Sequence, residues 1–564
     1  MMQRPAGVLL CMTTLIWSCG AATAAATAPD AIYVDGRVWT GDPSQPEVAA
    51  IAVADGRITA IGTTAAIRAL AEPATQIYDL HGRRIVPGFN DAHWHLLSRR
   101  SARLDNAGSV TVIRERMQAY AQTVPAGAWI VGRGWVPSDF PDNTGHRRYL
   151  DDLFPDRPVV LRDRDGHQAL ANSKALALAG VTSATPDPED GRIERDASGQ
   201  PTGLLKEAAA RLVTNLLPDL SADDTHALLL EEMSTAAGFG LTSLQDATEG
   251  GLTDNELAAV TRAIAEGAML VRYRAAVPFV KEVTPEQLDR YVAMRDRARG
   301  SLLTYGVAKG MLDGTVDAKT AVMLQPYVGG GNGLAFWSVE DLDRTVAAYD
   351  RAGIQVQLHA IGDGAIRMAL DAYEFAARVN DTQGRRHRVE HIEVPASADL
   401  PRFKELGVVA STQAIFATPD ASTLQNYAPL LGPERSARAN SFRQFDDAGA
   451  VQAFGSDYPV YSMNPLLGIY TAVTRQTPAG TPAGGWYSQG RIGVEAALRH
   501  YTSDAAYASF EEDAKGSLTV GKYADFVVLS HDILQLAPER LLDARVLLTV
   551  MGGRVTYRAS EAAK

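Results

Sequence analysis

Cysteine is nearly missing from this chain of 564 residues: Cys11 and Cys19 are the only two, and both fall in an apolar N-terminal stretch. Beyond that stretch no thiol remains, which excludes a disulfide framework, a cysteine nucleophile and a thiolate zinc site. Positive charge is also short. The formal net charge is −12, and no basic run occurs anywhere. Phosphate binding needs a basic surface, so no nucleic-acid partner is expected and a small-molecule substrate is.

Long apolar runs are missing too. A bilayer-spanning helix takes about 20 apolar residues, and the longest candidate, from Gly7 to Trp17 behind Arg4, falls short. Followed by GAATAAATA, it reads as an export signal over residues 1–26, removed near Ala24 or Ala26. A periplasmic location is the matching expectation. The rival reading takes IWSC, ending at Cys19, as a lipoprotein-processing site, and only then would the protein meet a membrane.

What is present is ordinary globular composition, 46% hydrophobic and 21% charged, over a length that suits one large enzyme domain with attachments. Residues 30–84 alternate short β-type runs with turns, as in EVAAIAVADGRITAIG, and residues 511–560 return to that texture in KGSLTVGKYADFVVLS and RVLLTVMGGRVTYR. Neither end can complete a sheet alone, so the two are expected to pair in a composite β-sandwich.

Residues 85–510 show the βα alternation of a parallel sheet. The expected strands are IVPGF (85–89), LTSLQ (241–245), VRYRAAV (271–277), YGVAKGM (305–311), QVQL (355–358), HRVE (387–390), VVAS (408–411) and VQAF (451–454). Eight is the number a (β/α)8 TIM-type barrel needs. Helix starts fall between them: Thr284, Pro285 and Gln287 form a capping box, and Ser338 with Asp341 opens a helix that Gly353 ends. From His95 to the second strand, however, about 145 residues intervene, where a βα unit takes about 30. An inserted lobe over about 100–225 is implied, placed as a roof on the barrel mouth.

His93 and His95, in VPGFNDAHWH, alternate on an extended segment, so both side chains face one way and can grip one ion. The pair is weak evidence alone, but barrel chemistry sits at the C-terminal ends of strands, where this pair is expected. Later strand ends carry Lys309 in YGVAKGMLDG, His359 in QVQLHAIGDGA, His391 in HRVEHIEV and Asp457 in VQAFGSDYPV. His359 and His391 lie 32 positions apart, close to one βα unit, and Asp457 follows 66 further on, close to two. Imidazoles and a carboxylate converging there suit zinc, with manganese or iron as alternatives. His226, His387 and His500 read as hydrogen-bonded core residues, and His81 and His146 as surface turns. In the lobe, His167 with Asn172 is the candidate for substrate binding, and Trp94, Trp129 and Trp135 are candidate apolar walls for which core packing is the blander reading.

These stretches, together with RPVVLRDRDGHQALANSKAL, GQPTGLLKEAA, KGMLDGTVDAKTA and YTSDAAYA, resemble the amidohydrolase superfamily, specifically amidohydrolase family 3, over nearly the whole chain past residue 26. The resemblance implies a barrel with a composite β-sandwich, metal ligands at His93, His95, His359, His391 and Asp457, and hydrolysis of amide or related C–N bonds. It also makes Lys309 a question, because in related barrels a fourth-strand lysine, carbamylated by carbon dioxide, bridges two metals. One divalent ion, with Lys309 structural, and two ions bridged by carbamylated Lys309 both stay open. The chain departs from the family pattern at DGTVDAKTA, where Asp317 and Lys319 stand after the lysine strand and bear on substrate contacts.

The expected chemistry follows. Metal coordination lowers the pKa of water to about 7, and Asp457 serves as general base and then as acid to the departing nitrogen of an amide, N-acyl or N-formyl amine, or cyclic amide. A one-metal deaminase of the same superfamily and an exported binding protein without turnover are the alternatives.

Overall fold

The computed structural model describes Met1, residues 28–97 and residues 99–560. The segment read as an export signal, with Cys11, Cys19, Ala24 and Ala26, lies outside the described residues apart from Met1.

Eight strands in chain order make the central sheet: β1 (Phe89–Trp94), β2 (Leu241–Asp246), β3 (Arg272–Pro278), β4 (Leu303–Met311), β5 (Gln355–Ala360), β6 (Arg388–His391), β7 (Val409–Gln413) and β8 (Gln452–Gly455). Each pairs in parallel with its neighbour. The edges meet beyond β8, where Asp457 N donates to His93 O at 2.7 Å and His95 N to Tyr458 O at 2.9 Å, nearly closing a barrel. Helices cover the outside, so the strands are buried on both faces, and this is why they read as apolar runs rather than as alternating ones. Thr284 caps Pro285–Arg297 in a reciprocal box with Gln287, and Ser338 caps Val339–Arg351, as their sequences predict.

Seven of the expected strands form within a few residues of their predicted bounds. The first is different, because IVPGF is divided between two sheets. Arg84–Pro87 pairs antiparallel with Phe526–Leu529, Val86 facing Val527, and the barrel begins at Phe89. Gly88 makes the passage. A Cβ there would lie 2.3 Å from Thr242 Oγ1, a contact no side chain survives. His93 therefore sits inside β1 rather than after it, with His95 one residue past its end.

The two chain ends share one outer sheet of six strands, in which Arg37–Trp39, Glu47–Val48 and Arg84–Pro87 join Phe526–Leu529, Val546–Met551 and Arg554–Arg558. A four-stranded sheet from Ala31 to Asp79 packs on it around Tyr33, Ile51, Ile85 and Phe526. Arg84, its side chain fully buried, donates twice to Asp532 at 2.8 and 2.7 Å and ties the two ends together. Residues 515–522 run as bends and turns where a strand is expected; Tyr523 makes an isolated antiparallel bridge to Arg57, and the strand starts at Phe526.

Between β1 and β2 stands a mixed sheet of six strands, among them Ile130–Trp135, Val159–Asp163, Gln168–Ala171 and Pro201–Glu207, with its own core of Leu104, Met117, Trp135 and Leu161. It reaches the mouth loops through Arg164 to Asp420 at 2.8 Å and Thr320 Oγ1 to Glu207 at 2.6 Å. The helix Ala222–Gly238 then returns to the barrel, burying Leu229, Met233 and Ala236 in its core.

Candidate metal centre

Strand alternation puts Asp91, His93 and His95 on one face of the segment that β1 opens. Asp91 is a clamp. Its Oδ1 accepts from Ser456 N at 2.9 Å and His93 N at 3.1 Å, and its Oδ2 accepts from Ser456 Oγ at 2.5 Å, so the seam between β1 and β8 is pinned beside the site.

His93 Nδ1 meets Glu390 Oε2 at 2.5 Å, and Arg388 holds Glu390 in turn through Nε at 2.8 Å. Arg388 also donates to Gln245 Oε1 at 2.7 Å, Ala92 O at 2.6 Å and Ser411 Oγ at 2.9 Å, bracing four strands from beneath. With Nδ1 engaged, the nitrogen His93 presents to the centre is Nε2, which is buried and has no hydrogen-bond partner. Asp457 Oδ1 lies 3.3 Å from that atom and 2.9 Å from His95 Nε2. One ligand atom from each of His93, His95 and Asp457 falls within 4.8 Å of the others, a grouping able to hold a metal ion.

His391 and His359 continue the ring of imidazoles, with centroids 4.6 Å from His93 to His391 and 4.5 Å from His391 to His359. His391 Nδ1 donates to Gln413 Oε1 at 2.9 Å and stands 3.9 Å from Asp457 Oδ2. His359 Nε2 is 3.3 Å from Gly314 O and 3.6 Å from Asp313 Oδ1. His391, Ile392 and Asp457 all have left-handed backbones, at φ 70°, 53° and 54°. Non-glycine residues pay about 1–3 kcal/mol each for that conformation, and such strain gathers at functional sites.

Burial drives both His359 and His391 well below the usual imidazole range, and the adjoining rings add to it. Burial pushes Asp457 the other way, but His93 and His95 outweigh it and hold the carboxyl well below the carboxylate range. Neutral His359 and His391 beside an ionised carboxylate are protonation states a divalent cation requires. Against the effect of burial, Asp457 and Glu390 raise His93, so that His93 would give up its proton to a bound cation. Lys309, on β4, is 2% exposed, and burial lowers its amine. Among the described residues no hydrogen bond or ion pair reaches its Nζ.

The lobe supplies His167, whose ring centroid is 5.1 Å from that of His359. Its Nδ1 pairs with Glu207 Oε2 at 2.7 Å, and although burial opposes the charge, Glu207 raises the imidazole to about 9. Asn172 is not at the mouth. Its amide is spent inside the lobe, accepting from Val159 N and Ala175 N at 3.0 Å and donating to Phe154 O and Arg157 O, as the cap of a short helix. The tryptophans are packing residues: Trp94 is buried against Tyr458 and Tyr273, Trp135 against Phe140, and Trp129 packs on the lobe's core. His226, His387 and His500 are buried and hydrogen-bonded to Glu266, Asp350 and Asp504.

Sequence reasoning missed Glu390, Arg388, Asp91, Gln413 and Asp313. Asp313 accepts from Ile361 N at 3.1 Å, Gly362 N at 3.0 Å and Val322 N at 2.8 Å, holding the loops after β4 and β5 together, and burial raises it to about 7. A signal was there for two of them: Arg388 and Glu390 are opposite charges two positions apart in the short strand RVEH, on one face of it and next to His391.

The model of the amidohydrolase family matches residues 76–557. The chain belongs to the amidohydrolase family. Two relatives extend along almost all of this amidohydrolase. The Protein LONG AFTER FAR-RED 3 of Arabidopsis thaliana is 34% identical, over 94% of this chain and 91% of its own. The N-substituted formamide deformylase of Arthrobacter pascens is 30% identical, over 94% of this chain and 98% of its own. Among solved structures, an uncharacterized metal-dependent hydrolase from Pyrococcus horikoshii superposes with a TM-score of 0.69 at 24% identity, covering 90% of this chain and 99% of that one. The fold is thus that of the family, and this amidohydrolase is a hydrolase.

Proposed function

We propose that this amidohydrolase cleaves a C–N bond of a small non-peptide amide, N-formyl and N-acyl amines first and cyclic amides after them. The observation that carries the reading is the meeting of His93 Nε2, His95 Nε2 and an Asp457 oxygen at the C-terminal end of the barrel. Similarity to the Arthrobacter pascens deformylase supports the order of substrates.

The residues fit a metal. A buried imidazole nitrogen that makes no hydrogen bond, beside a second imidazole and an ionised carboxylate, is a donor set for a borderline-hard cation such as zinc. His93, His95 and Asp457 would hold one ion; His359, His391 and Lys309, if carbamylated, would hold a second. A bound divalent ion supplies Lewis acidity, which acidifies water to a pKa of about 7 and polarises a carbonyl.

The protein's own groups do the rest. Asp457 takes the proton of the attacking water on a carboxylate oxygen and returns it to the departing nitrogen, so no covalent enzyme intermediate is required. Glu390 fixes the His93 ring through Nδ1. With its Nδ1 occupied by Glu207, His167 keeps Nε2 for a substrate oxygen, and the lobe above it excludes bulk water. We assign the working site to an exported protein, in line with the N-terminal segment.

A panel of N-formyl amines, N-acyl amines, dipeptides and cyclic amides tests the reading. Hydrolysis of the first two classes, abolished by a chelator and restored by zinc, is expected; turnover that ignores the chelator refutes it. A one-metal centre has its own support in the compact grouping of His93, His95 and Asp457, which does not take in His359 or His391, and metal counting separates the two.

A further inference from the structure

Beside His391 the mouth loops line a small cleft, partly open to solvent, that the metal centre does not use. Its walls include Arg164, Asp317, Glu393, Phe416, Tyr427 and Tyr461. It adjoins the reacting end of the barrel, since the Phe416 ring lies parallel to that of His391, centroids 6.1 Å apart, and against that of Tyr461 at 5.2 Å.

The charge of this cleft is one-sided. Arg164 is the cation of its lining, and it is already shared: Nη1 is 2.8 Å from Asp420, Nε 3.3 Å from Asp165 and Nη2 4.0 Å from Asp317. Asp165, Asp317 and Glu393 all line the space, so carboxylates outnumber the guanidinium. The Tyr427 hydroxyl is buried there beside Glu393 and makes no hydrogen bond of good geometry. Buried polar groups left so are rare unless a ligand or water completes them. Phe416, Tyr427 and Tyr461 add aromatic faces, which attract cations.

We propose that this cleft selects the substrate and receives an ammonium or guanidinium group, so that favoured substrates are N-formyl or N-acyl amines carrying a second, positively charged end. The assignment of the amide rests on the hydrolytic reading above; the preference for a cation rests on the cleft. An anionic substrate meets three carboxylates and a guanidinium that is already taken. A neutral one leaves Asp317 and Glu393, which burial raises to about 8, in their protonated forms and gains no charge attraction from them. Asp317, the acidic residue singled out in DGTVDAKTA, is held by Asn426 Nδ2 at 2.6 Å, and burial raises its carboxyl well above the ordinary range. An arriving cation favours its ionised form, so uptake releases a proton.

The test uses the metal-loaded, full-length protein and two readouts. Calorimetry compares the mono-N-methanesulfonyl derivatives of cadaverine, pentylamine and aminovalerate, uncleaved analogues in which the shared amine is capped and the far end is cationic, neutral or anionic. Kinetics compares the mono-N-formyl derivatives of the same three amines. The cadaverine analogue is expected to bind about tenfold tighter than the pentylamine one, with the aminovalerate one weakest, and the formyl derivative of cadaverine to show the same advantage in KM. Asp317→Asn and Glu393→Gln, checked for an unchanged melting midpoint, are each expected to erase most of that advantage; if one fails to fold, the other carries the test. Equal or tighter binding of the pentylamine or aminovalerate analogue overturns the proposal, as does an advantage that survives both substitutions. If no formamide is cleaved but the cadaverine preference holds and depends on Asp317, the hydrolytic reading fails and the cationic subsite stands. If all three formamides are cleaved without preference, hydrolysis stands and the cationic subsite is overturned.

Discussion

Glu390 and His93 are 297 positions apart in the chain, yet Glu390 Oε2 lies 2.5 Å from His93 Nδ1, with both side chains completely buried. The pairing fixes the ring's tautomer and leaves Nε2 as the atom that faces Asp457. Carboxylates behind metal-binding imidazoles set ligand orientation and basicity, and losing one typically costs about 10–100-fold in metal affinity or activity. Glu390→Gln keeps the volume and an oxygen but not the charge. Its metal affinity, measured by chelator competition, is expected to fall by that order, with activity partly recovered in excess zinc. Unchanged affinity would show that Glu390 serves only Arg388.

Among the described residues, Asp457 is the one carboxylate that touches both His93 and His95. If it moves the proton, Asp457→Asn removes general catalysis, a loss on the order of 10²–10⁴ in kcat, while the imidazoles retain part of the metal. Turnover and metal content measured on one sample check this. A rate within a few fold of the parent enzyme refutes the role.

Much of the barrel was legible because buried parallel strands are apolar runs separated by helical periodicity. The limit was β1, where Arg84–Pro87 and Phe89–Trp94 are consecutive buried strands of different sheets with only Gly88 between them, and hydropathy cannot divide them. Site residues at strand ends, such as His359 and Asp457, were legible from spacing and resemblance. Glu390 and Arg388 were not, since a charge in a strand looks the same whether it meets solvent or a partner hundreds of residues away. Asn172 was misplaced for a different reason. Its nearness to His167 in sequence suggested shared duty, whereas Asn at the head of SKALAL is a helix-cap signal, and capping is what it does. Trp94 lies between two candidate ligands, and alternation alone turns it to the opposite face, into the core.

Under the proposed function, Lys309 separates a one-metal from a two-metal centre. Its amine is buried on β4, and among the described residues no hydrogen bond or ion pair holds it, an expensive arrangement for an ordinary ammonium and a natural one for a carbamate that binds metal. Protein prepared with bicarbonate and zinc is expected to contain about two ions per chain, and Lys309→Met about one. Intact-protein mass at neutral pH gives a second readout, with the carbon dioxide adduct present in the parent and missing from the variant. A parent enzyme holding a single ion, equalled by Lys309→Met, assigns the lysine a structural role.

Far from the metal, His387 and Asp350 give a test of acid stability. Asp350 is buried, which would raise its carboxyl, but His387 Nε2 at 3.2 Å, Asn380 Nδ2 at 2.8 Å and Thr382 Oγ1 at 2.7 Å all donate to it and hold it well below the carboxylate range. Arg385 adds an ion pair at 3.3 Å. A carboxyl whose folded pKa is depressed contributes stability that is complete above the unfolded value, about 3.9, and is lost as pH falls through the folded one. Asp350→Asn removes that contribution. Near neutral pH it is expected to destabilise the fold by about 2–3 kcal/mol, and the gap to the parent should narrow as the pH is taken below 4. Urea unfolding at neutral pH and at successively more acidic values measures both. A gap that stays constant into acid would mean that Asp350 acts by packing and neutral hydrogen bonds, without its charge.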